Sequence, residues 1–299
     1  KISRYNLFFE DFIGNVLIAW SRASQGKKDE SFSYIEKIPK PYDHLTKTQN
    51  SFLHCYFDTE DAQISLEEII RNKEYNFSRY NFFLDNFLLF KNNIEKSKKI
   101  IEKSRKKYDS NLLIKQTEDF FIKGQVNKIK SLFNCQKLED SIAEIFYILA
   151  NLYSSDRNYR LSNYYAKISL FLNNKFTPNK ALLAENFYYQ NKLELSKKTY
   201  SSIKSIGPIY SWYASKNISL ILSDTVGTKH SISKLKKAFD SLAENNFEHY
   251  YELANFYKDN KFYKKSIKYY FLALKNIEQK NNLVSKIYNR IGTSYERLG

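Results

Sequence analysis

The sequence predicts an all-α fold made of helical hairpins that follow one another about every 34 residues. The composition favours this class, because only 7 glycines and 4 prolines occur among 299 residues, which is little material for the tight turns of a β-sheet protein. The order of small and large apolar residues favours it as well, because one set of spacings recurs along the chain. We therefore expect an α-solenoid of antiparallel helical hairpins.

The recurring spacing consists of six landmark positions separated by steps of 1, 3, 9, 4 and 3 residues. It is clearest at Leu253, Ala254, Tyr257, Ser266, Tyr270 and Ala273. The same steps connect Leu149, Ala150, Tyr153, Ser162, Ala166 and Ser169, then Leu183, Ala184, Phe187, Ser196, Tyr200 and Ile203, and upstream Leu84, Asp85, Leu88, Ser97, Ile101 and Ser104. Each set predicts two helices, with three landmarks on the first and three on the second.

The landmarks of each predicted helix fall on one helical face, because steps of 1, 3 and 4 residues keep side chains on a single stripe. Small residues such as Ala254 and Ser266 let two helix axes approach, and rings such as Tyr257 and Tyr270 fill the space around them. We expect these tyrosines to be mostly core. We also expect each landmark serine to donate its hydroxyl to a carbonyl one turn back on its own helix.

In chain order, the spacing divides the sequence into clear and degenerate repeats. We expect degenerate repeats at 12–40 and 49–73, a clear repeat at 78–110, a degenerate one at 111–137, clear repeats at 143–176 and 177–206, a degenerate one at 207–245 with a turn near Gly227, a clear repeat at 247–280 and a half repeat at 281–299. The half repeat would leave an apolar face uncovered, and the chain contains no methionine. We therefore expect residues 1–299 to be one array within a longer protein.

The period and its residues resemble the tetratricopeptide-repeat family. That family has an aromatic residue, Leu and a small residue, then a second aromatic residue in its first helix, as in Tyr288, Ile291, Gly292 and Tyr295 here. Tyr or Phe replaces the family's leading Trp, and the first small position of the second helix is serine at Ser31, Ser65, Ser97, Ser162, Ser196 and Ser266. The resemblance covers nearly the whole chain. It implies a right-handed superhelix whose first helices line a concave groove.

The resemblance also implies a function and a place in the cell. Such proteins are non-catalytic scaffolds or adaptors, so we expect a partner protein to contribute a peptide or helix that binds in the groove. A narrower similarity is to large bacterial multi-repeat proteins, some of which are exported adaptors. It implies a periplasmic or outer-membrane-associated location, with a cytoplasmic one as the alternative.

Candidate groove residues follow from the family's ligand-binding positions on the first helices. These positions are Phe82, Asn86, Tyr147, Asn151, Glu185, Tyr189, Tyr251 and Asn255. An asparagine amide can both donate to and accept from a peptide backbone. The basic half of the family's carboxylate clamp is replaced by Phe or Tyr, so we expect a polar and aromatic groove instead of that clamp. Exposed asparagines in an Asn-rich chain are the competing explanation.

The net charge of +16 and the pI of about 9.4 suggest an alternative function, the binding of RNA or an anionic membrane surface. The most basic segment lies on the predicted second helix of repeat 78–110, at Lys98, Lys99, Lys103, Arg105, Lys106 and Lys107. A solvated outer face and an AT-rich coding bias explain the same charge without any ligand. Charge concentrated in the groove would favour the alternative function.

Other chemistry has little support in the sequence. Cys55 and Cys135 are the only cysteines, and their wide separation predicts neither a metal cluster nor a disulfide scaffold. The four histidines do not fall at a metal-ligand spacing, and no phosphate-binding or hydrolase motif is present. No apolar run approaches the length of a membrane span. We therefore expect no enzyme activity, cofactor, metal or transmembrane segment in this region.

Overall fold

The computed structural model describes residues 2–72, 77–277 and 283–299, and for residues 2–10 and Pro41 it describes the backbone alone. Across these ranges the chain forms seventeen α-helices and one 3-10 turn, with no strand. The all-α class is therefore confirmed. The chain divides into two compact units, Lys1–Lys192 and Leu193–Gly299, called unit 1 and unit 2 below.

The helices are joined by short connections. Unit 1 contains α1 Ile2–Ser24, α2 Lys28–Glu36, α3 Asp43–Tyr56, α4 Ala62–Arg71, α5 Ser78–Phe90, α6 Ile94–Lys107, α7 Leu112–Ile122, α8 Val126–Lys130, α9 Leu138–Ser155, α10 Tyr159–Leu172 and α11 Thr177–Tyr189. Unit 2 contains α12 Leu193–Ile203, α13 Pro208–Thr225, α14 Thr228–Asp240, α15 Phe247–Asp259, α16 Tyr263–Lys275 and α17 Leu283–Glu296. The turn predicted near Gly227 separates α13 from α14, which confirms that prediction.

The turns show the repeat directly, because one residue of each has a left-handed backbone. Those residues follow one another at intervals of 32 to 36 positions, at Gly26, Asp58, Asn92, Gly124, Arg157, Asn191, Gly227 and Lys261. In most of them the next N–H donates to the carbonyl five residues back, for example Asn158 N to Tyr153 O at 2.8 Å. This hydrogen bond is the Schellman arrangement that ends a helix and satisfies a carbonyl left over by its last turn. The chain is therefore periodic in backbone conformation as well as in sequence.

The small landmarks bring paired helices close together, as expected. Ala150, Ala166, Ala254 and Ala273 have no exposed surface. Burial of the rings is also confirmed for Tyr257 and Tyr270, which lie in apolar clusters of unit 2.

The serine prediction is confirmed at some repeats and wrong at others. Ser31 donates to Lys27 O at 2.7 Å and Ser266 to Tyr263 O at 2.9 Å, each on its own helix. Ser162 instead donates across the hairpin to Ala150 O at 2.6 Å, and Ser97 donates across it to the carboxyl of Asp85. The close helix approach explains the difference, because it brings an acceptor of the facing helix within reach of the hydroxyl.

The repeat predicted at 111–137 has a much shortened second helix. α8 ends at Lys130, and residues 131–137 continue as turns that pack into unit 1. The ring of Phe133 is buried, with its centroid 4.4 Å from that of Phe83 and 5.4 Å from that of Phe52. Asn173 Nδ2 donates to Leu132 O at 3.0 Å, which fixes the segment to the end of α10. Aromatic packing thus replaces the last turns of the expected helix.

Unit 1 also contains contacts between hairpins that are distant in sequence. α9 packs against α1 and α3 in addition to its neighbours. A solenoid in which each repeat touches only the next one would lack these contacts. Unit 1 is therefore stabilised by long-range packing as well as by nearest-neighbour stacking.

The two cysteines correct a further expectation. Cys55, at the end of α3, forms a disulfide with Cys135 of the 131–137 segment, and their Cα atoms are 5.8 Å apart. Both side chains are buried. Their separation of 80 residues hid the pair in the sequence, because the fold and not the spacing brings them together.

The boundaries of the individual repeats and the single continuous array remain predictions. Three predicted repeats extend beyond the described residues: the repeat 49–73 at position 73, the repeat 247–280 at 278–280, and the half repeat 281–299 at 281–282.

The left-handed backbone at Lys261 predicts that glycine stabilises the protein at this position but not at a lysine inside a helix. Lys261 has φ +64°, a conformation that is unfavourable for a residue with a Cβ atom and costless for glycine. We expect Lys261→Gly to raise the free energy of unfolding by up to about 1 kcal/mol in urea titrations. Lys268→Gly, an exposed interior position of α16, is the matched control and should lower it by about 1 kcal/mol. Equal destabilisation by both variants would contradict the argument.

Candidate functional site

The eight candidate groove residues lie on four helices. Phe82 and Asn86 are on α5, Tyr147 and Asn151 on α9, Glu185 and Tyr189 on α11, and Tyr251 and Asn255 on α15. The first three helices belong to unit 1 and the last to unit 2. The candidate residues are therefore divided between the two units.

Phe82 and Asn86 are not on a surface, which corrects their assignment to the groove. Both have no exposed area. Asn86 Nδ2 donates to Ile129 O of α8 at 3.0 Å, and the Phe82 ring packs 6.4 Å from that of Phe176. The short helix α8 lies against α5 and covers the face that the resemblance would leave open.

The remaining four residues of unit 1 form the α9–α11 surface, defined here as Tyr147, Asn151, Glu185 and Tyr189. Tyr147, Asn151 and Glu185 are half-buried, whereas Tyr189 is 64% exposed. Asn151 Nδ2 donates to Tyr147 O at 2.8 Å, and the ring of Tyr189 stacks on that of Tyr159 with centroids 5.5 Å apart. The side chains are thus held in place by contacts within the unit.

A buried ion pair lies beside Tyr147. The Arg79 guanidinium on α5 pairs with Glu144, whose side chain is 1% exposed, across 65 positions of sequence. Burial raises the pKa of the Glu144 carboxyl to about 7, and the positive charge of Arg79 opposes that rise. Burial likewise raises the pKa of the Tyr147 phenol, again opposed by Arg79. The Arg79 guanidinium beside the α9–α11 surface therefore interacts with both the Glu144 carboxyl and the Tyr147 phenol.

In unit 2, the α15 surface is defined by Tyr251 and Asn255 together with Arg290 of α17. Tyr270 OH donates to Asn255 Oδ1 at 2.7 Å, and the Arg290 guanidinium lies 5.7 Å from the centre of the Tyr251 ring. Burial raises the pKa of the Tyr270 phenol to about 12, so this hydroxyl remains a donor at neutral pH. Asn255 Nδ2 donates to no described residue and is available to a ligand carbonyl.

The residues of the basic run lie on α6. Lys98, Lys99, Lys103, Lys106 and Lys107 are exposed, while Ser97, Ile101 and Ser104 of the same helix are buried. Arg105 is partly buried and its Nε lies 3.2 Å from Glu118 Oε2. The run is therefore one solvated helix face.

The described residues lack two further kinds of functional feature. They contain no cluster of three or more His, Cys, Asp or Glu side chains that could hold a metal ion. None of their helices is both long enough and apolar enough to cross a membrane.

Arg79, Glu144, Tyr270 and Arg290 border the two surfaces and were not predicted to do so. Local spacing carries no signal for Arg79, since its partner lies 65 residues away. Tyr270 was assigned to the core by the spacing, and that assignment is correct for its ring. Its hydroxyl nevertheless reaches the α15 surface.

No protein-family model matches the sequence, and no curated protein matches it. The chain is similar to a tetratricopeptide-repeat protein from Parabacteroides merdae ATCC 43184, with 12% identity over 96% of this chain and 99% of that one, at a TM-score of 0.39. It is similar to the TPR domain of P58(IPK), with 14% identity over 96% and 98% of the two chains and a TM-score of 0.26. It is also similar to the APC/C hetero-tetramer Cut9–Hcn1, with 11% identity over 95% and 63% and a TM-score of 0.37.

The predicted resemblance to tetratricopeptide-repeat proteins agrees with the chain's own geometry, since helical hairpins follow one another at the predicted interval. The narrower resemblance to exported adaptors stays a prediction.

The buried ion pair predicts an asymmetric response to mutation. At about pH 8.5 we expect Arg79→Gln to lower the free energy of unfolding by about 3 kcal/mol, because it leaves the Glu144 carboxylate buried without a counter-charge. Glu144→Gln should have a smaller effect, because the partly exposed Arg79 can reach water.

The pH dependence of the Arg79→Gln effect has a definite sign. Below about pH 7 the folded protein holds Glu144 protonated, so the deficit of Arg79→Gln should shrink as the pH falls. Urea titrations at several pH values measure it. Equal, pH-independent losses in both variants would contradict this account of the pair.

Proposed function

We propose that the protein is a non-catalytic scaffold that binds a peptide or helical segment of a partner protein. The observation that carries the proposal is the α9–α11 surface, where Tyr147 and Asn151 are half-buried, Tyr189 is exposed, and internal contacts fix Asn151 and Tyr189. Tyrosines of this kind bury a large area with little loss of side-chain entropy, and they are enriched at the centres of protein interfaces.

The polar groups of this surface suit a polypeptide ligand. The amide of Asn151 and the carboxylate of Glu185 lie at half-buried positions, where hydrogen bonds to peptide groups are shielded from water. Tyr189 offers the largest exposed apolar area of the four residues. We infer that an apolar side chain of the partner packs on Tyr189, while its backbone is bound by the polar groups.

The α15 surface is a second candidate binding surface, and it has a similar combination of aromatic and amide side chains. Tyr251 provides a ring, Arg290 provides a cation beside it, and Asn255 Nδ2 is an available donor. A partner carbonyl or carboxylate satisfies these donors. The two surfaces differ in charge, since Glu185 borders the first and Arg290 borders the second.

The alternative function, binding of RNA or an anionic membrane, is not favoured. The basic run faces solvent on α6 and is interrupted by Glu102, whose Oε1 is 4.0 Å from Lys98 Nζ. The α9–α11 surface carries Glu185 in place of a cluster of cations. Positive charge is therefore not concentrated where the partner is proposed to bind.

The experiment that tests the proposal is selection of binding peptides from a displayed library, followed by affinity measurement on the purified chain. We expect Tyr189→Ala or Asn151→Ala to weaken the selected peptides about tenfold, as loss of a central interface residue does. Tyr164→Ala is the matched control, since Tyr164 is an equally exposed tyrosine on α10 and should leave affinity unchanged.

Two outcomes would contradict the proposed scaffold function. One is an equal loss in the Tyr164→Ala control. The other is that the chain selects no peptide but retains nucleic acid or anionic vesicles, with binding that disappears as salt is raised.

We further propose that the protein works in an oxidising compartment, on the periplasmic side of a bacterial envelope. The buried pair Cys55–Cys135 supports an oxidising compartment, since structural disulfides persist outside the reducing cytosol. The periplasmic side follows from the narrower resemblance to exported bacterial repeat proteins. Closure of a loop of 80 residues by this bond also stabilises unit 1 by up to about 4 kcal/mol in the chain-entropy account.

The proposed location predicts the state of the native thiols. In protein trapped from intact cells and denatured with an alkylating reagent, neither cysteine should be modified unless a reductant is added first. Reduction should lower the melting temperature of the wild type and leave that of a Cys55→Ser, Cys135→Ser double variant unchanged. Alkylation of both cysteines without reduction would place the protein in a reducing compartment.

A further inference from the structure

A cleft in unit 2 lies apart from the α15 surface. It opens between the turn that follows α12, the first half of α13 and the second half of α14, and its volume is about 470 Å³. Cavities of this size commonly hold small organic ligands. No residue of the α15 surface lines it, so the cleft has no role in the partner binding proposed above.

The cleft is lined by three lysines and by no carboxylate. Lys234 and Lys237 lie one turn apart on α14 and are exposed, and the half-buried Lys204 lines the cleft from the turn after α12. None of the three forms an ion pair within the described part of the chain. Burial and the positive charge of Lys234 lower the pKa of Lys204, so the two ammonium groups repel each other.

Two carboxylates close to lining residues are engaged by other groups, and the exposed Glu244, which follows the lining residue Ala243, does not itself line the cleft. Glu252 accepts hydrogen bonds from Trp212 Nε1 and Lys216 Nζ, and Asp240 pairs with Lys236 on α14. These acids therefore do not neutralise the three lysines. An anion from solution is the natural counter-charge for the cleft.

Neutral donors and an apolar wall complete the lining. Ser211 and Ser215 lie one turn apart on α13, and their hydroxyls form no hydrogen bond with any described residue. The Trp212 ring is held by its bond to Glu252 and by an edge contact with Phe239, with centroids 6.1 Å apart. Ile218 continues the apolar wall one and a half turns further along α13.

We propose that this cleft binds a small organic phosphate monoester. Three ammonium groups and two hydroxyls match a dianion that carries several acceptor oxygens, and lysine binds phosphate as a point charge without requiring a planar fork. The organic part of the ligand lies against Trp212 and Ile218. A monocarboxylate would leave most of these donors unused.

Calorimetric titration of the purified chain tests the proposal, with phenyl phosphate and inorganic phosphate as probes at low ionic strength. We expect one saturable site per chain for phenyl phosphate and weaker binding of inorganic phosphate, which lacks a group to contact Trp212. Tryptophan fluorescence gives a second readout, because Trp20 is fully buried in unit 1 and Trp212 lines the cleft.

Charge-neutralising variants separate the cleft from general attraction to a basic protein. Lys204→Gln, Lys234→Gln and Lys237→Gln should each weaken phenyl phosphate about fivefold, the equivalent of one lost charged contact. Lys268→Gln makes the same charge change at an exposed site on α16 and should leave affinity within about twofold. Thermal unfolding confirms that each variant is folded.

Three results would overturn the proposal. The first is no saturable binding of phenyl phosphate up to about 10 mM, where a specific site of several charged contacts should be filled. The second is an equal loss in Lys268→Gln and the cleft variants. The third is equal affinity for inorganic phosphate and phenyl phosphate, which would leave the Trp212 wall without a role.

Discussion

One residue in the left-handed region reverses the chain after each first helix, and the rest of the fold depends on that reversal. At Asn92, Arg157 and Lys261 the following N–H returns to the carbonyl of Leu88, Tyr153 or Tyr257, the large landmark of the first helix. The residue whose carbonyl accepts this hydrogen bond is also a core residue at Leu88 and Tyr257 and a half-buried one at Tyr153. The same residue thus takes part in the turn and in the packing between helices. The second helix therefore begins at a constant position relative to the first. The small landmarks meet for this reason, and Ser162 reaches Ala150 across the hairpin.

A constant hairpin also explains why the two candidate surfaces share a pattern while a third is missing. Tyr147 with Asn151 and Tyr251 with Asn255 occupy the same positions relative to their turns, one helical turn apart, and all four stay partly accessible. Phe82 and Asn86 occupy the corresponding positions on α5, yet they are covered. The cause lies outside their own hairpin, because Asn86 bonds to Ile129 O of α8 and the Phe82 ring packs against that of Phe176. A surface position in one repeat thus becomes core because a neighbouring repeat is irregular.

Local spacing predicted the features that depend on neighbours within one hairpin. Spacing and composition together predicted the all-α class, and the spacing predicted the burial of Tyr257 and Tyr270, because helical periodicity acts over a few residues. The turn at Gly227 was predicted where the landmarks do not register cleanly. Local spacing could not predict the Cys55–Cys135 bond or the Arg79–Glu144 pair, whose partners are 80 and 65 residues apart. The position of Lys204 opposite Lys234 is of the same kind, since it depends on how α12 is followed by α13 and α14. Chemistry built from distant segments carries no periodic signal in a single sequence.

The net charge of +16 does not by itself indicate where on the protein a ligand binds. On α6 most of the lysines face solvent, where water and ions screen their charges, and Glu95 and Glu102 lie among them. In the unit 2 cleft three lysines line a partly enclosed volume, and the carboxylates of Glu252 and Asp240 beside it are bonded to other groups. Burial and, second, the positive charge of Lys234 lower the pKa of Lys204, the half-buried member of the three. We propose the cleft and not α6 as an anion site because its three lysines line one concave volume, whereas those of α6 lie on an open helix face. The arrangement of the lysines, and not their count, separates a binding site from a solvated helix.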